Sequence, residues 1–208
     1  MTDVAVIGGG IAGCATAAFL AEAGAAVTLY EREAIAAGAS GRNSGILQHP
    51  MDEALVALYE ESLALYATLG HGFELPTEAS GVLLVSDHGE ALARDFEAAR
   101  ARFPDLEPAW LEPGEEPALA PGIHAYRLHT GRPIGPTAAT RAWAERARAA
   151  GARFEIGVEA RARELSAGVV VVAAGPWTPT ALGARPDWRP RLGARGRPST
   201  RQRTHRRW

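Results

Sequence analysis

The first thirty-one residues constrain the fold most. Val4-Ala5-Val6-Ile7 is a short apolar run with the composition of a buried strand. Gly8-Gly9-Gly10-Ile11-Ala12-Gly13 follows at once, then an Ala-rich run to Gly24, then Ala26-Val27-Thr28-Leu29-Tyr30-Glu31. The order is strand, glycine turn, helix, second strand, acid. Gly8, Gly10 and Gly13 satisfy G-x-G-x-x-G in the setting it needs, after a strand and opening a helix. Gly8 permits the tight turn, Gly10 lets backbone approach a pyrophosphate, and Gly13 lets the helix pack close to the sheet. The first helical turn, with Ile11 and Ala12, offers N–H groups and a positive dipole end to phosphates. Glu31 lies 23 residues after Gly8, near the offset of about 20 expected for an acid that binds a ribose hydroxyl. The stretch predicts a dinucleotide site. The competing reading is a turn that only joins strand to helix.

The chain has 208 residues and is 47% hydrophobic. That is enough for one large domain, or a domain carrying an insertion, with a buried core. No apolar run approaches the roughly 20 residues that span a bilayer, and no basic segment precedes the first strand. A soluble, cytoplasmic α/β protein is expected. The only cysteine, Cys14, has no disulfide partner and no metal-ligand spacing, so small-residue packing is its expected role. No metal site is expected. Net charge is −2, but it is unevenly spread. There is no lysine. Nine of the 22 arginines lie in the last 24 residues with one acid, Asp187, which leaves an excess of ten acids in the first 184 residues.

Residues 34–46, with Ser40-Gly41-Arg42-Asn43-Ser44-Gly45, are small and polar without a period, which predicts a loop. Residues 52–69 place Leu55, Leu58, Tyr59, Leu63, Tyr66 and Leu69 at helical spacing, with Asp52 as N-cap and Gly70 just past the end. Residues 73–86 read as a hairpin through Ala79-Ser80-Gly81. A helix over 90–102 ends at Pro104. The proline-rich stretch 104–122 reads as irregular, and 124–129 as a strand. Pro136 opens a helix that Gly151 closes. Strands are expected at 153–156 and 169–172, the second as a buried central strand. It runs into Ala173-Ala174-Gly175-Pro176-Trp177, and the carboxyl end of such a strand is where an α/β sheet places ligands.

Three blocks now carry a specific likeness: Val4–Gly13 with Glu31-Arg32, Gly38–Gly45, and Val169–Val172 with Ala173–Trp177. Over about residues 1–190 the chain resembles the FAD-dependent oxidoreductases of the D-amino-acid oxidase superfamily, which includes glycine oxidase and sarcosine oxidase. The fold implied is a Rossmann-like FAD-binding domain, a parallel sheet with helices, carrying an inserted and incomplete antiparallel-sheet substrate domain. The FAD-binding domain would comprise 1–73 and 136–190, and the partial substrate domain 74–135. By resemblance, FAD would lie with its pyrophosphate on Gly8, Gly10, Ile11, Ala12 and Gly13, and its adenosine ribose on Glu31, with Arg32 alongside. Ser40, Gly41, Arg42, Asn43, Ser44 and Gly45 would run beside the second phosphate, the ribityl chain and the flavin. Val158 would pass the adenine, and Ala174 and Gly175 would line the far side. The chemistry implied is hydride removal from a carbon bearing an amine, in a small amine or amino-acid-like substrate. Neither a nucleic acid nor a membrane partner is expected, and the oligomeric state is left open.

The chain departs from the family in two ways. Glu159–Gly168 is short for the strand pair expected there, and family members typically run beyond 350 residues. The Arg-rich stretch 191–208 has no apolar periodicity and is expected to be a disordered tail. Its abrupt composition suggests a frameshift near residue 190, and a basic arm for nucleic acid is the alternative. His49, after the flavin-side loop, is read as a polar loop residue in preference to a covalent flavin attachment point. Arg127 and Arg132 are read as solvated, and Trp177 as packing beside the cofactor. No catalytic acid or base is marked. Three other readings stay open: a 2-hydroxyacid oxidase, a nicotinamide dehydrogenase, and an inactive nucleotide-binding remnant.

Overall fold

The computed structural model describes residues 3–183. The Arg-rich stretch and Trp188-Arg189-Pro190 lie outside the described residues. Strand β1 (Asp3–Ile7) leads into helix α1 (Ile11–Glu22) and strand β2 (Ala26–Glu31), as the motif predicts. After a one-turn 3-10 helix at Ala39–Gly41 come β3 (Ile46–Leu47) and α2 (Glu53–Ala67). Then follow β4 (Val82–Ser86), α3 (Gly89–Arg102), β5 (Ala109–Leu111), β6 (His124–Leu128) and β7 (Arg132–Pro133). Helix α4 (Pro136–Ala149), β8 (Arg153–Ile156), β9 (Val169–Val172) and the short α5 (Thr178–Ala181) complete the order.

The parallel sheet has the order β8-β2-β1-β9. Val4 pairs with Val27 on one side and Val169 on the other, and Leu29 pairs with Phe154. Helix α1 is apolar on nearly every side because it is packed between this sheet and α4. The contact is built from small residues. Ala17, Ala18 and Ala21 of α1 and Ala139, Ala142, Ala144 and Ala147 of α4 are all buried, with Trp143 filling the wider part of the interface. Alanine faces let the two helices approach closely, so β1 and its glycine turn sit against a rigid layer. Val6 and Leu29 are fully buried in that core, each contributing about 2 kcal/mol on transfer from water.

A second core lies in the antiparallel sheet β4-β6-β5, where Val82 faces Leu128 and Trp110 faces Tyr126. Helix α3 covers it through Leu92 and Ala99, with Phe96 set against Trp110 and Tyr126. The two-stranded ribbon β3-β7 connects this part to the parallel layer.

Four sequence expectations are corrected. Residues 73–86 do not form a hairpin. Pro76 removes a ladder donor, and the segment is tied instead to the far side of the sheet: Ser80 N–H donates to Gly131 C=O, and the Arg132 guanidinium donates to the Thr77 carbonyl at 2.8 Å. β4 pairs with β6, 38 residues further on by its Ser86–His124 register. Ala109–Leu111 within the proline-rich stretch is a strand, because Trp110 and Leu111 find partners on β6 that local sequence does not reveal. β9 is an edge strand among the described residues, and Val169 is 46% exposed. Its β-branched run fits a central position, but only β1 pairs with it. Helix α2 forms with Asp52 capping Ala54 N–H, as expected. Its apolar stripe is only partly covered, however: Leu55 and Leu58 are 45% and 60% exposed, while Tyr66 packs on Phe73.

One ion pair joins the two central helices. Arg146 of α4 donates from Nε and Nη2 to the two carboxylate oxygens of Glu22 on α1, at 2.6 and 3.0 Å. These hydrogen bonds, with the guanidinium charge, hold the Glu22 carboxyl below its ordinary value and raise that of Arg146. A carboxylate with a lowered folded-state value stabilises the fold above its unfolded value and loses that contribution as pH falls through the folded one. The pair is solvent-facing, so Glu22→Gln is expected to cost about 0.5 kcal/mol at pH 7. Denaturant titrations of both proteins should converge as pH is lowered towards 3.

Candidate functional site

A cleft of about 370 Å³ opens at the carboxyl ends of β1, β2 and β9. Its floor is the glycine turn. Gly8 has φ +117°, and its N–H donates to Tyr30 C=O at 2.8 Å. A Cβ there would lie 2.5 Å from the Ala173 carbonyl oxygen, so the position is closed to other residues on both counts. Gly13 lies beneath the turn instead of in the cleft. A Cβ on it would come 1.9 Å from the Gly8 carbonyl oxygen, which makes it the point of closest helix–turn approach.

Two side chains order the floor. Glu31 Oε2 accepts from Gly9 N–H at 2.7 Å and Oε1 accepts from Glu33 N–H at 2.8 Å. The acid at the end of β2 is thus fixed against the turn at the end of β1. Ser40 Oγ accepts from Ile11 N–H at 3.0 Å. It is the only side-chain acceptor found at the first turn of α1 among the described residues. Thr140 and Thr137 of α4 stand under the same loop, near the carbonyls of Ser40 and Gly41.

Eleven of the sixteen residues named from sequence line the cleft: Gly8, Gly10, Ile11, Ala12, Glu31, Arg32, Ser40, Arg42, Val158, Ala174 and Gly175. Val158 is placed by its N–H, which donates to Glu31 C=O at 3.0 Å. Gly13, Gly41, Asn43, Ser44 and Gly45 do not line it. Asn43 staples the loop, donating to the Ala39 and Ser40 carbonyls and accepting from Gly45 N–H. Gly41 and Gly45 are packed against the carbonyls of Ala36 and Ile134, and Ser44 is exposed. Gly9 and Gly38, which lie inside the quoted blocks, line the cleft as well, and so does Arg161, which sequence did not single out. Gly9 was legible as the middle glycine of three, whereas Arg161 carried no signal.

Other candidates fall away from the cleft. His49 is buried. Its Nδ1 accepts from Met51 N–H, its own N–H donates to Thr130 Oγ1, and its ring meets the edges of Tyr59 and Phe103. It is a loop residue, as expected, but a packed one, and it does not line the cleft. Arg132 is engaged with the Thr77 carbonyl and is not free for a substrate. Arg42 reaches the cleft and makes no ion pair among the described residues. Cys14 is fully buried in α1, and burial pushes its thiol up to about 12, as its packing role requires. Among the described residues no helix is long and apolar enough to cross a membrane.

A parallel sheet with this turn, this acid and a cleft at the carboxyl ends of its strands defines a dinucleotide-binding α/β protein. Residues 3–203 match the family of FAD-dependent oxidoreductases known as DAO, and the chain belongs to that family. The match runs past residue 190, into the stretch read from sequence as a tail. The glycine oxidase of Bacillus cereus superposes with a TM-score of 0.68 at 25% identity, covering 88% of this chain and 58% of that one. The glycine oxidase of Geobacillus kaustophilus gives a TM-score of 0.72 at 24% identity, over 86% and 56%. In sequence, 103 residues are 43% identical to the tRNA 5-methylaminomethyl-2-thiouridine biosynthesis bifunctional protein MnmC of Nitrosospira multiformis, covering 49% of this chain and 16% of that protein. The chain therefore spans just over half of the solved oxidases and a small part of MnmC.

FAD is the cofactor of this family. The residues present fit it. The floor is made of backbone that a side chain would fill: a Cβ on Gly9 would lie 2.8 Å from Glu31 Cγ, and one on Gly10 3.0 Å from Ser40 Oγ. The N-terminal end of α1 faces this floor, and arginines stand at the rim, a donor set suited to a pyrophosphate.

Proposed function

We propose that this chain holds the adenosine and pyrophosphate of FAD in the cleft. The whole protein would then oxidise an amine or amino-acid-like substrate at a carbon bearing nitrogen. The observation that carries the first part is the Glu31 carboxylate, fixed at the edge of the glycine turn by Gly9 and Glu33 N–H groups. In this reading Gly8, Gly10, Ile11, Ala12 and the α1 N-terminus hold the pyrophosphate, supported from below by Gly13. Glu31 accepts from the ribose hydroxyls, and Val158 lies along the adenine. Ser40 and Arg42 take the second phosphate, with Gly41 and Asn43–Gly45 shaping the loop beyond it. Ala174 and Gly175 close the far side. Residues 1–73 and 136–190 make up this domain, and 74–135 begin the substrate domain.

When bound, flavin supplies a two-electron acceptor. The protein's part is to orient the substrate carbon and exclude water, and the proposal assigns no acid or base among the described residues. Support for an amine substrate comes from chemistry shared by the relatives. Glycine oxidase is named for an amino acid, and MnmC for a methylaminomethyl group. Both contain a carbon bonded to nitrogen. MnmC acts in tRNA modification by its name, so the expectation of no nucleic-acid partner is not carried forward. A cytoplasmic location remains part of the proposal.

Purified chain incubated with FAD and passed through gel filtration is expected to retain yellow absorbance. Retention of NAD and not FAD would overturn the reading. With FAD bound, anaerobic glycine or an N-alkylglycine should bleach the flavin band if the substrate half is supplied. Bleaching by a 2-hydroxyacid alone would favour the hydroxyacid alternative.

A further inference from the structure

Two side chains that the glycine motif does not require meet across the cleft. Arg32 follows β2 and Trp177 follows β9, and these strands flank β1 on opposite sides. Even so, the Arg32 guanidinium carbon lies 4.3 Å from the centre of the Trp177 ring. The contact thus bridges the carboxyl end of β1, where the chain turns through Gly8–Gly10. Both residues line the same cleft as those glycines. Each is supported from behind. The indole rests on Gly38, where a Cβ would come within 3.2 Å of it, and Trp177 N–H donates to Ala174 C=O. Arg32 Nη2 stands 3.2 Å from Glu33 Oε1. Neither residue is a core residue: Trp177 is 42% exposed and the Arg32 side chain 35%. A solvent-facing pair that spans the mouth of a cleft contributes little to folding and is well placed to act on what enters it.

A guanidinium laid on an indole face is fixed in its plane, while N–H donors stay available at its rim. We propose that Arg32 and Trp177 form a clasp over the glycine turn. Trp177 is the positioning residue, and Arg32 donates from the clasp to a phosphate oxygen of the bound dinucleotide. This rests on the reading of the cleft as the FAD site. The pair parts to admit the dinucleotide and closes behind it, so its main effect is on release. Lysine at position 32 would supply charge without the planar contact and could not be held in the same way.

The test measures FAD release from the full chain by the recovery of flavin fluorescence after dilution into excess ADP. Trp177→Ala is expected to speed release about tenfold. Trp177→Phe, which keeps a smaller ring, should have a lesser effect. Arg32→Met, which removes the donor itself, should speed release at least as much as Trp177→Ala, and the double variant should be no faster than Arg32→Met alone, because Trp177 acts only through Arg32. Melting of the ligand-free chain should stay unchanged in all variants, which separates a clasp from a structural role. Wild-type release rates in Trp177→Ala and Trp177→Phe, or independent effects that multiply in the double variant, would overturn the clasp while leaving the FAD site standing. A wild-type chain that takes up neither FAD nor ADP would overturn the site and the clasp with it.

Discussion

Replacing Gly13 by alanine is expected to disable the protein by adding one methyl group. The new Cβ would lie 1.9 Å from the Gly8 carbonyl oxygen; a Cβ is fixed by its own backbone and its neighbour is backbone, so no side chain can rotate away. Relief requires α1 to move off the turn. That movement is opposed by its packing on α4, where Ala17, Ala18, Ala142 and Trp143 are all at least 96% buried. Overpacking of this kind costs about 3 kcal/mol or more, a large part of the stability of a domain. Melting should fall by roughly 10 °C, and FAD retention should be lost because the turn and the α1 N-terminus no longer share one geometry. Gly24→Ala is the control. Gly24 lies just past the other end of α1 and has φ +86°, but nothing lies within 4 Å of its would-be Cβ. It should cost only about 1 kcal/mol from backbone strain and leave FAD binding intact. If the two variants melt alike, close approach is not what fixes glycine at position 13.

That contrast also shows what could be read from the chain. The β1–α1–β2 unit was legible because its determinants are local: a strand, a glycine turn and an acid within thirty-one residues. Helices α3 and α4 were equally plain, since Pro104 and Pro136 mark their limits by backbone chemistry alone. The antiparallel sheet was not. β4 finds β6 across a helix and a proline-rich stretch, and β5 is three residues long, so neither pairing has a local signal. Glycines and polar residues at the site were found by pattern, but their division of labour was not. Gly10 faces the cleft and Gly13 lies under it; Ser40 meets α1 and Asn43 only ties its own loop. Pattern gives spacing, whereas these roles depend on which way each residue points once the loop has folded back on α4. Trp177 was read as packing beside the cofactor and it lines the cleft, but its partner Arg32 lies 145 residues away by number and meets it only because β2 and β9 flank the same strand.

Glu31→Ala is expected to separate adenosine binding from the rest of the site. Glu31 does two things at once. Its carboxylate satisfies the Gly9 and Glu33 N–H groups, at 2.7 and 2.8 Å, and it forms part of the cleft wall. Removing it leaves both N–H groups without that acceptor, at a cost of about 1–3 kcal/mol for the less exposed one. In the proposed reading it also removes the acceptor for the ribose hydroxyls. Charged hydrogen bonds of this kind are worth about 1.5–3 kcal/mol, so FAD and ADP should each bind roughly 100-fold more weakly. FMN, which has no adenosine, should be affected far less. Glu31→Gln should fall between, because its amide can accept from one of the two N–H groups and presents a donor to the other. The measurement is the Kd for FAD, ADP and FMN, with a melting curve for each variant. Equal losses for FAD and FMN would place the defect in the glycine turn itself, through Gly9, and not in the ribose contact. An unchanged FAD Kd in a folded Glu31→Ala protein would sink the assignment of Glu31 to the ribose. The residue that most narrowed the cleft to a dinucleotide would then be only a brace for the turn, and recognition would rest on Gly8–Ala12 and the arginines at the rim.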